Sequence, residues 1–201
     1  MSTRPIIAAF DFDHTLTTRD SLIPLLMQLQ GRFKAITKLI YLSPYLIGFK
    51  IHLLSRQQIK EQILTAFLKG MPLKQFQEIG QQYADNQLDQ FIKPEALERL
   101  RWHQKQHHRC ILISASLENY LLPWAKRHHF QDVLASRLEI IEPDYITGKL
   151  AGINCWGPEK TRRLTELLGP KENYTLYAYG DSRGDTELLE LADFPFYRTF
   201  S

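Results

Sequence analysis

The apolar run Ile6-Ile7-Ala8-Ala9-Phe10 stops at Asp11 and Asp13, and this junction constrains the fold more tightly than any other stretch of the chain. Five consecutive apolar residues read as a strand buried on both faces, and such strands belong to parallel sheets covered by helices. Beyond Pro94 the pattern agrees. A helical segment through His103 precedes the apolar strand Cys110-Ile111-Leu112-Ile113, and an amphipathic helix spans 117–128. A strand-like stretch over 133–141, a turn near Gly148, a helix over 159–168, a strand over 174–179 and a helix over 186–191 complete the alternation. Strands alternating with helices predict an α/β fold with a parallel sheet.

Residues 21–91 break that alternation. Their apolar residues recur at helical spacing, as in Ile59, Ile63, Ala66 and Phe67, with breaks at Gly31, Pro44 and Met71-Pro72. We read this block as an all-helical cap (18–91) inserted into a core formed by 1–17 and 92–201. The block is also basic. Residues 19–77 hold nine Lys and Arg against Asp20 and Glu61, a local net of +7 in a chain whose total is +3. A locally basic segment attracts anions whatever the distant balance.

With 201 residues and 44% apolar content the chain can bury a core. Cys110 and Cys155 match no metal-ligand spacing and are too few for a disulfide framework, which suits a reducing compartment such as the cytoplasm. The opening apolar run is too short for an export signal. The most apolar stretch, 39–49, falls well short of the roughly 20 residues that span a bilayer.

Asp11 and Asp13 stand two apart at a strand end, where open α/β sheets bind their ligands. One carboxylate there can attack phosphorus while the other, protonated, donates to a leaving oxygen. Taken alone, such a pair also serves to cap a helix or shape a turn. A second acidic strand end, Tyr179-Gly180-Asp181-Ser182-Arg183-Gly184-Asp185, brings two more carboxylates toward the same edge. Hard oxygen donors of this kind suit magnesium. Ser114, with Ala115 and Ser116, ends another strand ahead of a helix whose amides can hold phosphate oxygens or which Ser114 simply caps. Lys160 opens a helix, an unfavourable place for a cation unless an anion lies near. His103 and His107, four apart, lack an acidic companion and read as surface residues; His128 and His129 suit a helix C-terminus.

Together, Asp11-x-Asp13-x-Thr15, the strand-end Ser114, Lys160 and Gly180-Asp181-x-x-x-Asp185 resemble, in order and approximate spacing, the motifs of the haloacid dehalogenase superfamily. The helical insertion after the first motif is similar to that of its subfamily IB, which contains phosphoserine phosphatase, and the resemblance covers nearly the whole chain. It implies a Rossmann-like core with a helical cap, and a magnesium-dependent phosphatase. By the same resemblance Asp11 is the nucleophile and Asp13 the general acid and base. The metal ligands would be Asp11, the backbone carbonyl of Asp13, and Asp181. Ser114, Ala115 and Lys160 would hold the phosphoryl group, Thr15 and Asp185 would support the site, and His14 and Asp20 would face the substrate.

His14 and Gly184 depart from the family pattern, a small residue being commoner at the first and Asn at the second. Asp20 falls where the phosphoserine enzymes recognise the substrate amine, but no cap arginine stands out as their other substrate-binding residue. The cap instead mixes Phe33, Tyr41, Tyr45 and Phe49 with Lys34, Lys38, Lys50 and Arg56. That mixture resembles the cap of phosphatidylglycerophosphate phosphatases, so the substrate is read as a small or amphipathic phosphomonoester, with peripheral membrane contact through the cap as one alternative. The other reading makes the aromatics the cap's own core. A phospho-Asp signalling module would need neither Asp13 nor so large a cap, and no nucleic-acid motif accompanies the basic pI.

Overall fold

The computed structural model describes residues 4–51 and 53–200; the side chains at 32–35, 39, 46 and 50, among them Phe33, Lys34 and Lys50, lie outside the described residues. Strand β1 (Ile6–Phe10) is followed by α1 (Leu22–Gln30), α2 (Arg32–Tyr41), α3 (Ser43–Lys50), α4 (Arg56–Leu68) and α5 (Leu73–Asn86). Then come α6 (Pro94–Lys105), β2 (Arg109–Leu117), α7 (Glu118–Arg127), β3 (Asp132–Ser136), β4 (Leu138–Ile141) and β5 (Tyr145–Leu150). The chain closes with α8 (Pro158–Leu168), β6 (Thr175–Gly180), α9 (Thr186–Leu191) and β7 (Phe194–Tyr197).

Five strands form a parallel sheet in the order β3-β2-β1-β6-β7, with β1 at its centre. The pleat sorts their side chains into two layers. Ala8, Phe10, Cys110 and Leu112 face one core with Leu100 of α6 and Trp124 of α7, while Ile7, Ala9, Ile111 and Ile113 face the other with Leu164 of α8 and Leu188 of α9. This is the α/β sandwich that the apolar runs predict. Both cysteines are buried and unpaired, and among the described residues no helix is long and apolar enough to cross a membrane.

The five helices between β1 and α6 leave and rejoin the sheet side by side: Thr18 N–H donates to Phe91 O at 2.8 Å and Lys93 N–H to Leu16 O at 2.8 Å. Two features differ from the sequence reading. The stretch 133–141 is two strands, broken at Arg137, and the turn beyond it falls at 142–144 instead of Gly148. Gly148 lies inside β5 at φ +88°, where its backbone presses on Thr65 of α4 and leaves no room for a side chain. The antiparallel pair β4–β5 therefore props up the helical block, with Gly70 N–H donating to Ile146 O at 2.8 Å and Leu73 N–H to Asp144 O at 2.8 Å. The second is β7, which the sequence reading lacks; its Pro195 is tolerated on a sheet edge, where a missing amide donor costs little.

Helix α5 also packs on α7, at Gly80. A Cβ there would lie 2.7 Å from the backbone oxygen of Asn119. Alanine is the better helix former by about 1 kcal/mol, but the contact leaves it no space, and overpacking of this kind costs about 1–3 kcal/mol. Gly80→Ala is expected to lower the midpoint of urea unfolding; an unchanged or raised midpoint would show that the two helices separate without cost.

Candidate active site

The site grows from one hydrogen bond. Asp11 N–H donates to Tyr179 O at 3.0 Å, extending the β1–β6 ladder by one residue and bringing both acidic strand ends to the same edge of the sheet. After Asp11 the chain makes a single wide turn, closed by Thr17 N–H to Phe12 O at 3.1 Å, with His14 at φ +61°. That turn delivers the Thr15 hydroxyl to Asp181, where it donates at 3.1 Å. One carboxylate oxygen from each of Asp11, Asp181 and Asp185 lies within 4.8 Å of the others.

Lys160, buried at the start of α8, donates to Asp11 Oδ1 at 2.5 Å and to Asp185 Oδ1 at 2.6 Å. Burial works to lower this lysine, yet the two carboxylates outweigh it and hold it above its ordinary value. The other oxygen of Asp185 accepts from the amides of Asp181 and Ser182 at 3.2 and 3.1 Å and from the Ser182 hydroxyl at 3.0 Å. Asp185 is thus fully engaged within the protein and orients its neighbours. Burial pushes the Asp11 carboxyl up to about 7 against the opposing Lys160 charge, with Asp185 adding to the rise. Asp181 is also raised, by burial first and then by Asp185. With all three carboxyls ionised, this group holds one ammonium against three carboxylates, an excess of two negative charges. An all-oxygen donor set with surplus negative charge fits a hard divalent cation.

Asp13 sits on the other side of the turn. Its Oδ1 accepts from Ser21 N–H at 2.7 Å and its Oδ2 from the Ser116 hydroxyl. Burial, then the charge of Asp20, pushes its carboxyl up to about 6, against the lowering effect of those hydrogen bonds. Ser114 is buried and its Oγ accepts from Ser116 N–H at 3.0 Å. The sequence predicts a helix N-terminus here, but β2 runs irregularly to Leu117 and α7 starts only at Glu118. Asp20 caps the first turn of α1, accepting from Ile23 N–H at 2.9 Å, and still faces the cavity.

The cavity, about 280 Å³, is lined by Asp11, Asp13, His14, Asp20, Ser114, Ala115, Lys160 and Asp181, so every candidate except Thr15 and Asp185 reaches its wall. Those two stand directly behind it, on Asp181 and Lys160. Arg56 and Lys60, one helical turn apart on α4, also line the cavity, as does Trp156. Nothing in the helical spacing of α4 distinguishes these two cations from a solvated face. Lys60 donates to Ala115 O and, at 2.9 Å, to Asn154 Oδ1, which ties α4 to the Ser114–Ser116 segment. Arg56 stacks 4.7 Å from the Trp156 ring.

His103 corrects the sequence reading. It is buried, bonded through Nε2 to the Tyr179 hydroxyl at 2.8 Å and through Nδ1 to His108 at 2.7 Å, and burial, followed by His108 and Arg99, drops it to about 3. It is a neutral core residue beneath β6. His107 ends up beyond the helix at φ +56°, exposed, and His128 stacks on Trp124.

A family model for haloacid dehalogenase-like hydrolases matches residues 8–190. The chain belongs to this family. Among curated proteins it is 32% identical to Protein CicA of Caulobacter vibrioides over 200 residues, covering all of this chain and 89% of that one. Among solved structures it is similar to a Bordetella pertussis Tohama I protein of unknown function, with a TM-score of 0.82, 22% identity, and 96% and 89% of the two chains covered. It is also similar to a phosphoserine phosphatase solved as a phospho-aspartyl intermediate analogue, with a TM-score of 0.61, 16% identity, and 94% and 84% covered. These last two likenesses concern the fold. In this haloacid dehalogenase-like hydrolase, Gly184 has a local cause: the Trp156 indole fills the space that a side chain there would take.

Lys60 supplies a pH test of the geometry. Burial lowers it from 10.5 to about 8, despite the opposing charge of Asp13. Between those values the unfolded chain binds more protons than the folded one, so stability contributed at this position rises with pH. The penalty for holding the ammonium is fully present below about pH 8 and is relieved toward 10.5. Melting temperatures of the native protein and Lys60→Met, compared from about pH 7 to pH 10, are expected to shift in favour of the native protein as pH rises; a flat difference contradicts the burial of the ammonium.

Proposed function

We propose that this hydrolase is a magnesium-dependent phosphatase that cleaves phosphomonoesters through a phospho-aspartyl intermediate on Asp11. The observation that carries this reading is the pairing of two buried carboxylates with different partners in one cavity, Asp11 on Lys160 and Asp13 on the Ser116 hydroxyl. Two carboxylates in different environments can divide the roles of nucleophile and acid.

In this mechanism a carboxylate oxygen of Asp11 attacks phosphorus, the bond to the leaving oxygen breaks, and Asp13 hands its proton to that oxygen. The Asp13 carboxyl, raised to about 6, titrates close enough to neutrality to give a proton in this step and take one back in the next. Deprotonated Asp13 then removes a proton from water, which attacks the phosphorus of the acyl phosphate, releasing phosphate and restoring Asp11. Lys160, Ser114 and Ala115 bind the phosphoryl oxygens, while Thr15 and Asp185 keep Asp181 and Lys160 in place. The carboxylates of Asp11 and Asp181 and the backbone carbonyl of Asp13 would hold magnesium, which supplies charge neutralisation for the phosphate.

Residues 18–91 act as the cap over a core of 1–17 and 92–201, and a cavity of about 280 Å³ suits a small organic phosphate or the head of an amphipathic one. His14 and Asp20 face the leaving group, and Arg56, one of the basic cap residues, adds a cation to the cavity wall. The phosphoserine phosphatases of similar fold support the reaction class, and a reducing compartment such as the cytoplasm suits the two buried free thiols.

Phosphate release from an aryl phosphate, measured with and without magnesium, tests the reading. Asp11→Asn is expected to abolish magnesium-dependent turnover, and Asp13→Asn to slow it about 10²–10⁴-fold. Turnover surviving in Asp11→Asn would rule out the covalent route. Because Asp185 orients Lys160 and the Asp181 loop, Asp185→Asn is expected to raise the magnesium concentration needed for half-maximal rate about 10–100-fold; an unchanged metal requirement would remove Asp185 from the supporting role.

A further inference from the structure

We infer that α2 and α3 form a docking face that seats this protein on an anionic lipid surface. Each helix leaves an isoleucine pair at helical spacing uncovered: Ile36 and Ile40 on α2, Ile47 and Ile51 along and just past α3. Ile40 is 66% exposed and Ile47 60%, and their neighbours Tyr41 and Leu53 are 75% and 74% exposed. Across these helices, Leu42 is buried and Tyr45 and Phe49 are half-buried, so the segment already has an inward face and the isoleucines form a second, outward one. Single exposed apolar residues are ordinary; a group of six on consecutive elements marks a surface that meets another phase or molecule.

Charge selects the occupant. The stretch that carries α2 and α3, residues 32–53, contains four Lys and Arg and no Asp or Glu; Lys38 among them also bonds Ala66 O. A second copy of the chain meeting this face across a two-fold axis would set like charge against like. An anionic membrane offers both complements at once, an apolar interior for the isoleucines and negative headgroups for the cations. The face also connects with the cavity. Phe49 of α3 lies under the Arg56 guanidinium, 5.5 Å from it, and Arg56 stacks in turn on Trp156 in the cavity wall. Resting on the phosphatase reading, this continuity presents the mouth of the cavity to phosphomonoesters held in the lipid surface.

The test is flotation of the full chain with vesicles of phosphatidylcholine alone or of an equimolar mixture with phosphatidylglycerol, at low and high salt. The native protein is expected to float with the mixed vesicles at low salt and to be released by salt. Ile40→Glu combined with Ile47→Glu, and separately Leu53→Glu, should each weaken that binding, the double variant about tenfold, with aryl phosphate turnover unchanged. No flotation with the mixed vesicles, or equal flotation of native protein and double variant, overturns the inference. So does a lipid-free dimer of the native protein that the double variant breaks. Flotation needs no turnover, so this result and the phosphatase reading fail separately.

Discussion

The ammonium of Lys160 sits between the carboxylates of Asp11 and Asp185, 2.5 and 2.6 Å away, with almost no exposure to solvent. Each group reaches the point from a different element: the end of β1, the first turn of α8, and the loop after β6. A buried charge is tolerable only when its partners are in place, and removing one partner of such a set costs about 3–5 kcal/mol. The arrangement of the loops around it follows. Asp185 uses its second oxygen to fold 181–185 back on itself, and Gly157 N–H donates to Gly184 O at 2.9 Å, joining the start of α8 to that loop. The surplus of negative charge that remains is what makes the group a candidate cation site.

Around this centre the helical block is tied to the sheet at several places. Gly80 lets α5 meet α7 at backbone distance, β4–β5 clasps the end of α4, and Lys60 bonds the Ser114–Ser116 segment from above. These contacts make the cavity a joint product of both parts of the chain. The core supplies the carboxylates of Asp11, Asp13 and Asp181 to its lining, and α4 supplies Lys60 and Arg56, the latter stacked on Trp156.

His103 and Lys60 show what reading single residues of a helix misses. His103 stands in sequence among Arg101, Trp102 and Gln104, but the period of α6 puts it on the buried face of Ala96 and Leu100, and the sheet behind it supplies the Tyr179 hydroxyl that makes burial tolerable. Lys60 likewise has an ordinary helical context among Gln57, Gln58 and Glu61, and its acceptors, Ala115 and Asn154, are 55 and 94 residues away. Asp20 differs: the resemblance places it toward the substrate, and the structure has it line the cavity while also accepting from Ile23 N–H at the start of α1.

The sequence by itself determined the parallel sheet, the helical insertion and the acidic strand ends. Those follow from apolar runs and from carboxylates placed at the ends of strands, features carried by neighbouring residues and by the local stereochemistry of the chain. Tertiary structure decided which carboxylate meets Lys160, which serine hydroxyl meets Asp13, and which cations of the helical block line the cavity. It also decided that the isoleucines of α2 and α3 stay uncovered. These depend on strand order and on the packing of distant elements, where burial sets the cost of every charge and each partner comes from a different part of the chain.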